Sequence, residues 1–216
     1  MQIFGDYAQF YNLIYQRSKD YRLEADMVYR WAGNPESIVD LGCGTGLHHK
    51  YWKCVVFGID RAAKMLALTK PNNHRIYARA DIEKDIILHK HYCYTALFNV
   101  IGYCNLESII SQMQQPAGGI FIFDIWDKAK VDKEPFNTIV KKFKWGKVSI
   151  TPYHSNLHKP VLNIRVEPVG GKAFTELHCV SPYSTAAIKA LCHKYGYFYL
   201  CKETNNWTTW YKLIKL

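Results

Sequence analysis

The sequence predicts a three-layer α/β sandwich with a mainly parallel seven-stranded sheet and a small antiparallel flap inserted after the fifth strand. Up to Ile125, five short apolar runs alternate with helix-like stretches, a spacing that pairs strands in parallel. After Ile125 the alternation stops, and shorter β-like segments are separated by proline and glycine turns. A last helix then precedes two strands, which would give the sheet an antiparallel edge.

Each element is predicted from its own local pattern. A helix is expected over Asp20–Ala32, where Leu23 and Met27 recur on one side. Apolar runs between turn signals predict the strands, and Gly196 is a stop signal for the last helix. The predicted strands are Ser37–Leu41, Cys54–Ile59, His74–Ala80, Tyr92–Val100 and Gly119–Ile125 in the sheet, Phe143–Thr151, Val161–Pro168 and Ala173–Val180 in the flap, and Tyr197–Lys202 and Trp207–Ile214 after a helix over Ser184–Tyr195.

The composition is typical of a folded globular protein, with 49% hydrophobic and 21% charged residues in a chain of 216. The longest apolar run, Gly118–Trp126, is shorter than the ~18 residues of a membrane span, and the N-terminal residues do not have a signal-peptide pattern. The seven cysteines are scattered without a CxxC pair, and His48 and His49 lack metal-site spacing. We therefore expect a cytoplasmic protein with reduced thiols, no membrane association and no metal.

The positive charge is concentrated in one segment. The formal net charge is +10, and residues 128–159 hold eight lysines against Asp132 and Glu134, a net charge of +6. A field of this sign attracts anions, which favours a phosphorylated or nucleotide-linked substrate, or RNA. The alternative interpretation is a solvated, lysine-rich face.

The most informative segment is Val39–Leu47, where an apolar strand leads into three alternating glycines and then a predicted helix. Glycine permits positive φ and close ligand approach, and a helix N-terminus supplies free N–H donors. An ordinary tight turn between strand and helix is the alternative. Asp60 ends the second strand twenty positions after Asp40, where a carboxylate can bind ribose hydroxyls, and Asp81 follows the third strand. The carboxyl ends of parallel strands share one edge, so all three acids should face one crevice.

These residues resemble the class I S-adenosylmethionine-dependent methyltransferases, whose fold is Rossmann-like. Gly42, Gly44 and Gly46 have the spacing Gly-x-Gly-x-Gly, unlike the Gly-x-Gly-x-x-Gly of nicotinamide-binding proteins. The resemblance implies that Gly42 and Gly44 approach the amino-acid part of S-adenosylmethionine, Asp60 binds its ribose, and Asp81 holds its adenine. The cofactor-binding residues implied are Tyr21, Asp40, Gly42, Cys43, Gly44, Gly46, Asp60, Arg61, Met65, Asp81, Ile82, Phe98 and Asn99.

Three further segments are similar to a small-molecule subgroup that includes amino-sugar N-methyltransferases. They are the tyrosine-rich N-terminal pattern from Tyr11, the segment Phe98–Tyr103, and Glu176-Leu177-His178, where the arginine usual a few positions later is missing. The subgroup implies methyl transfer to N or O of a small, sugar-like or nucleotide-linked acceptor, which the basic segment suggests is anionic. We expect one methyltransferase domain over residues 1–216, made of cofactor-covering helices (1–32), a cofactor-binding core (33–127), a flap (128–182) and a final helix and hairpin (183–216).

Methyl transfer needs few catalytic groups beyond positioning and a proton acceptor. Tyr103, His178 and Tyr11 are the catalytic candidates, with Tyr11 and Tyr21 expected to fold over the cofactor. The unperturbed pKa of tyrosine, about 10, makes Tyr103 a poorer base than histidine, which favours an orienting role. A packed strand histidine is the alternative interpretation of His178.

Two other functions are considered. The net charge of +10 suggests an RNA methyltransferase, but the sequence has no appended RNA-binding module and no Asn/Asp-Pro-Pro-Tyr segment. A non-catalytic scaffold on the same fold is the second alternative, and the intact glycines and Asp60 argue against lost cofactor binding. A homodimer is also considered.

Overall fold

The computed structural model describes residues 4–17, 19–84, 92–132, 137–154, 160–203 and 208–216. Within these ranges the helices are α1 (Ala8–Tyr15), α2 (Tyr21–Trp31), α3 (Ala63–Leu66), α4 (Leu106–Gln112), α5 (Lys128–Val131) and α6 (Thr185–Tyr195). The strands are β1 (Ser37–Leu41), β2 (Val55–Asp60), β3 (Arg75–Arg79), β4 (Cys93–Ala96), β5 (Ile120–Trp126), β6 (Ile139–Phe143), β7 (Gly146–His154), β8 (Pro160–Pro168), β9 (Phe174–Cys179), β10 (Tyr197–Glu203) and β11 (Thr208–Lys215).

The main sheet confirms the predicted fold class. Its seven strands lie in the order β10-β11-β5-β4-β1-β2-β3, with β1 to β5 parallel and the last two strands antiparallel at one edge. Helix α2 packs on one face of the sheet, where Val28 contacts a buried cluster that includes Ile38 and Ile122. Helices α4 and α6 cover the other face through Ile109 and Ile188. The three layers explain why β4 and most of β5 are buried on both faces.

The flap is a separate antiparallel sheet in the order β6-β7-β8-β9. It has one strand more than the three segments predicted, because β6 ends at Phe143, where the first predicted segment begins. Two adjacent lysines, Lys141 and Lys142, interrupt the apolar pattern of β6, and its position at the sheet edge leaves Ile139 and Val140 exposed. An edge strand of this kind does not have the alternation on which the prediction depended.

Local capping explains where the predicted helices begin and end. The Asp20 carboxylate accepts the N–H groups of Arg22 and Leu23 at the start of α2. Ser184 caps the start of α6, and Gly196 ends it in the left-handed conformation, with φ of +68°. None of the helices in the described ranges is long and apolar enough to cross a membrane.

Two local predictions near the sheet were wrong. The glycine loop does not lead into an α-helix, and a single 3-10 turn over His49–Tyr51 follows it. Here His48 and His49 turn inward to bind acidic side chains, which leaves no amphipathic helical repeat. The fourth strand ends at Ala96 rather than Val100, because Phe98 and Asn99 adopt positive φ.

The N-terminal segment lies against the flap. Tyr7 and Ile14 pack in one cluster with Val148 and Val166 of the flap. The Glu176 carboxylate on β9 accepts the N–H groups of Phe4 and Tyr7, at 3.0 and 2.9 Å. These contacts hold the first helix and the flap together over the carboxyl ends of the parallel strands.

Candidate functional site

A cavity of about 210 Å³ opens at the carboxyl ends of the parallel strands, between the sheet, the N-terminal segment and the flap. This is the edge at which open parallel sheets bind ligands. Fifteen of the sixteen residues predicted for the site line this cavity, and only Gly46 does not. The fifteen are Tyr11, Tyr21, Asp40, Gly42, Cys43, Gly44, Asp60, Arg61, Met65, Asp81, Ile82, Phe98, Asn99, Tyr103 and His178.

The three loop glycines all have positive φ, between +57° and +70°, but they meet different neighbours. A Cβ on Gly42 would lie 2.5 Å from Val100 Cγ1, and one on Gly46 would lie 2.9 Å from the Tyr77 hydroxyl. A side chain at either position would therefore force a neighbouring side chain to shift, and the positive φ would add backbone strain. A Cβ on Gly44 would have Met65 Cε as its nearest atom, at 3.2 Å. The backbone of this middle glycine therefore has the most room of the three.

Asp60 joins the end of β2 to the glycine loop. Its Oδ2 accepts the Gly44 N–H at 2.8 Å, and its Oδ1 accepts the Ala62 N–H at 2.7 Å. Burial raises the pKa of Asp60 above its ordinary value, although both hydrogen bonds act in the opposite direction. Each carboxylate oxygen can still accept a second hydrogen bond, so the half-buried side chain can hold the loop and bind a hydroxyl in the cavity.

Asp40 is part of a buried network beneath the same loop. Its Oδ1 accepts the Thr95 hydroxyl at 2.6 Å, and its Oδ2 lies 2.8 Å from His49 Nε2. The other ring nitrogen of His49 lies 3.1 Å from the Tyr77 hydroxyl. Both oxygens of Asp40 are thus engaged by the protein, and this network supports the loop where a helix had been expected.

Tyr21 has an unmet hydrogen-bonding requirement beside the cavity. The residue is 5% exposed, and its buried hydroxyl has no hydrogen-bond partner among the described residues. Leaving such a group unpaired costs roughly 1–3 kcal/mol. A bound ligand with a carboxylate or amine would satisfy it, and the amino-acid part of S-adenosylmethionine has both groups.

The charge of the lining also fits that cofactor. Among the residues that the structure describes, four carboxylates border the cavity, Asp40, Asp60, Asp81 and Asp124, together with one arginine, Arg61. A wall with more carboxylates than cations favours a ligand that carries a positive charge. The residues present are therefore compatible with a sulfonium cofactor.

The turn after β4 is held in a strained conformation. Phe98 and Asn99 have φ of +68° and +60°, and non-glycine residues in such regions cost on the order of 1–3 kcal/mol each. Their N–H groups donate to the two oxygens of Asp124, at 2.5 and 3.1 Å, and Asn99 Oδ1 accepts the Trp126 N–H at 3.0 Å. Burial raises the pKa of Asp124 to about 6, against the opposing effects of Lys19 and the two hydrogen bonds.

A chain of three polar side chains joins the cavity to the flap. Tyr103 Oη lies 3.2 Å from His178 Nδ1, and His178 Nε2 lies 3.3 Å from Glu176 Oε2. Burial acts to raise the pKa of Glu176, but His178 and the N–H groups of Tyr7 and Phe4 bring it below its ordinary value. An ionised Glu176 can only accept, which places the hydrogen on Nε2 and leaves Nδ1 to accept from Tyr103. Burial also raises the pKa of Tyr103, so this hydroxyl stays protonated.

Tyr11 belongs to an aromatic cluster rather than to this chain. Its ring contacts those of Phe4, Tyr7, Tyr15 and Phe98, with centroids 4.8–6.3 Å apart. Burial raises the pKa of Tyr11 well above its ordinary value. A base role for Tyr11 therefore has no support in this geometry, whereas packing against a ligand does.

Two acids of the site were missed from the sequence, although each had a signal. Glu176 lies two positions before His178 on one strand, and side chains two apart share a face. Asp124 lies near the carboxyl end of β5. Asp40, Asp60 and Asp81 were selected because they lie at the carboxyl ends of their strands, and the same criterion would have selected Asp124. Lining residues from the N-terminal segment and flap, including Tyr7, Leu162 and Ile164, gave no such signal.

Comparison with known proteins gives a partial sequence match. Residues 39–107 match the model of a methyltransferase domain family. The dTDP-3-amino-3,6-dideoxy-alpha-D-glucopyranose N,N-dimethyltransferase of Streptomyces fradiae is 30% identical over 108 residues, 46% of this chain and 42% of that protein. The aligned segment thus spans less than half the length of this curated relative.

Two solved structures match nearly the whole chain in fold. One is an S-adenosylmethionine-dependent methyltransferase from Clostridium acetobutylicum, with a TM-score of 0.79, 18% identity and 99% of both chains covered. The other is an amino pentose methyltransferase from Micromonospora echinaspora, solved with S-adenosylmethionine bound, with a TM-score of 0.75 and 16% identity over 100% of this chain and 99% of that one. These likenesses confirm the predicted Rossmann-like fold.

Proposed function

We propose that this protein uses S-adenosylmethionine to methylate an amino nitrogen of a small, sugar-like acceptor. The match of residues 39–107 to a methyltransferase domain family and the fold shared with an S-adenosylmethionine-dependent methyltransferase support the proposal. The observation that carries the proposal is the Tyr103–His178–Glu176 chain at the cavity wall. The names of the Streptomyces fradiae and Micromonospora echinaspora relatives support an amino-sugar acceptor.

S-adenosylmethionine, when bound, supplies an electrophilic methyl group. The loop around Gly44, with Asp60, Asp81 and Tyr21, is the part of the wall that we assign to holding it. The aromatic cluster around Tyr11 excludes water, and its rings can stabilise the positive charge that the nitrogen gains on methylation. These assignments extend the sequence predictions and stay proposals.

The polar chain gives the acceptor proton a path. A neutral amine that gains a methyl group becomes a positively charged ammonium, which must lose a proton to become neutral again. That proton can pass to Tyr103 Oη as the hydroxyl gives its own proton to His178 Nδ1, and Glu176 then stabilises the imidazolium. Tyr103 thus orients and relays, His178 is the base, and Glu176 fixes the tautomer.

The position of one lysine supports the proposal that the acceptor carries an anionic group. Lys141 shares a row with Val148 and Val166, which are buried against the N-terminal segment, and its Nζ lies 5.8 Å from the ring centre of Tyr15 in the cavity wall. Opposed residues of an antiparallel sheet share a face, so Lys141 lies on the cavity side of the flap. Among the described residues no carboxylate pairs with it.

Three other lysines of the basic segment give less support for binding anions. Lys128, Lys130 and Lys147 form ion pairs with acidic side chains. Residues 133–136 and 155–159 of this segment lie outside the described ranges. The cytoplasmic location, the homodimer considered from the sequence, and the division at residues 32, 127 and 182 stay predictions.

The test compares two acceptors that differ in one group. Purified protein is incubated with S-adenosylmethionine and a nucleotide-linked amino sugar, or with the same compound carrying a hydroxyl in place of the amine, and products are identified by mass spectrometry. Methylation of the amine alone is expected. Methylation of the hydroxyl compound, or of bulk RNA instead of either sugar, would refute the assignment.

The polar chain is tested by His178→Ala. A general base contributes about 10²–10⁴-fold, so the substitution should lower kcat by about two orders of magnitude at neutral pH and less at high pH, where the amine loses its proton to water. His193→Ala, at an exposed histidine outside the cavity, is the control. A pH profile of the His178 variant parallel to that of the wild type would contradict the base role.

A further inference from the structure

We propose that Asp124 is a positioning residue, which holds the Phe98–Asn99 turn in the conformation that accepts the cofactor. This inference rests on the proposed function, because it concerns the same cavity. Asp124 does not itself need to contact the reacting atoms. Its contribution is the pair of hydrogen bonds by which one buried carboxylate restrains two consecutive residues of the cavity wall.

The geometry of the turn requires such a restraint. Phe98 and Asn99 both have positive φ, and neither is a glycine, so the turn would relax without contacts that fix it. Each of their N–H groups donates to a different oxygen of Asp124. The Asn99 side-chain oxygen accepts the backbone N–H of Trp126, two residues after Asp124 on β5. One side chain at the end of β5 therefore sets the shape of the wall at the end of β4.

The restraint is strongest with an ionised carboxylate, because protonation turns one oxygen into a hydroxyl, which is a donor and a much weaker acceptor. Lys19 is the cation facing Asp124 and favours ionisation, while Glu24 of α2 opposes it. On β11 Trp210 is opposite Asp124, and β4 ends at Ala96, which is opposite Phe123; neither Trp210 nor Ala96 carries a charge. Burial raises the pKa of Asp124 to about 6, so the protonation that weakens one of its two acceptor oxygens occurs at a pH where the protein can be studied.

The experiment measures binding of S-adenosylhomocysteine by calorimetry. Its neutral sulfur does not attract a carboxylate, so the measurement separates positioning from direct attraction of the sulfonium. For a ligand that binds only the form with ionised Asp124, a pKa near 6 lowers the affinity about tenfold between pH 7.5 and pH 5. Asp124→Asn, which keeps one acceptor oxygen, should bind about tenfold more weakly than wild type at pH 7.5 and nearly equally at the two pH values.

Asp127→Asn is the matched control. The Asp127 carboxylate also accepts two backbone N–H groups, those of Ala129 and Lys130, but it lies outside the cavity lining. This variant should bind S-adenosylhomocysteine like the wild type. Circular dichroism establishes that both variants are folded, and the wild-type pH dependence tests the inference without any substitution.

Three results would overturn the inference. They are an Asp124→Asn variant with wild-type affinity for S-adenosylhomocysteine, a variant weakened only towards S-adenosylmethionine, and wild-type binding that is equal at pH 5 and pH 7.5. Failure of the proposed function has a different signature, since the wild type would then bind neither ligand at pH 7.5.

Discussion

Removing the hydroxyl of Tyr21 should stabilise the unliganded protein but weaken its binding of ligand. Tyr21→Phe removes one oxygen and keeps the ring, which contacts His48 and lies 4.9 Å from Lys19 Nζ. In the free protein this hydroxyl is buried and has no partner among the described residues. The variant should therefore be more stable than the wild type when unliganded, by about 1 kcal/mol, because an unpaired polar group no longer has to be desolvated.

Binding should change in the opposite direction. If the hydroxyl bonds the carboxylate or amine of the cofactor, its loss removes one hydrogen bond to a charged group, worth about 1.5 kcal/mol. The Kd for S-adenosylhomocysteine should then rise about tenfold. Stability is measured by urea unfolding without ligand, and affinity by calorimetry.

Tyr197→Phe provides the comparison. The Tyr197 hydroxyl is also buried, but it donates to Gln115 Oε1 at 3.0 Å and lies outside the cavity lining. Its removal should lower the free energy of unfolding by about 1 kcal/mol and leave binding unchanged. The reasoning is refuted if Tyr21→Phe binds like the wild type, or if it loses as much stability as Tyr197→Phe.

Three further substitutions test the glycine loop. Asp60→Ala should weaken S-adenosylhomocysteine binding by about 1–3 kcal/mol in calorimetry, through loss of a charge-assisted bond, and unchanged affinity would contradict the ribose assignment. Gly42→Ala places a Cβ 2.5 Å from Val100 Cγ1 and should lower the free energy of unfolding by about 1–3 kcal/mol in urea, part of which Val100→Ala should restore. His49→Phe leaves one oxygen of the buried Asp40 carboxylate unpaired and should cost about 3 kcal/mol by the same measurement; a loss below about 1 kcal/mol would show that the network does not hold the loop.

Local sequence signals predicted most of the fold. The bounds of β1 agree with the prediction, and those of β2 and β5 differ by one residue at each end. Helix α6 begins at Thr185, one residue later than predicted, and ends at Tyr195 before Gly196 as expected. These features depend on hydrophobic periodicity and on capping, both of which act over a few neighbouring residues.

The errors occur where distant residues decide the local structure. The expected helix after the glycine loop is replaced by a 3-10 turn, because His49 binds Asp40 across the loop. The fourth strand stops early because the N–H of Phe98 is held by Asp124, 26 positions away. Neither bond leaves a periodic pattern in the sequence around it.

The sequence by itself determined the layered fold and many of the residues that line the cavity at the carboxyl ends of the strands. The spacing of Gly44 and Asp60 along the chain identified both residues, because they lie at or just after the ends of adjacent strands and are brought together by a short stretch of chain. The contact between the sheet and the flap within this cavity was decided by tertiary structure alone. Tyr103 and His178 are 75 positions apart, and only the folding of the flap over the sheet places their side chains within hydrogen-bond distance. A hydrogen bond requires proximity in space, and no pattern along the chain encodes that proximity.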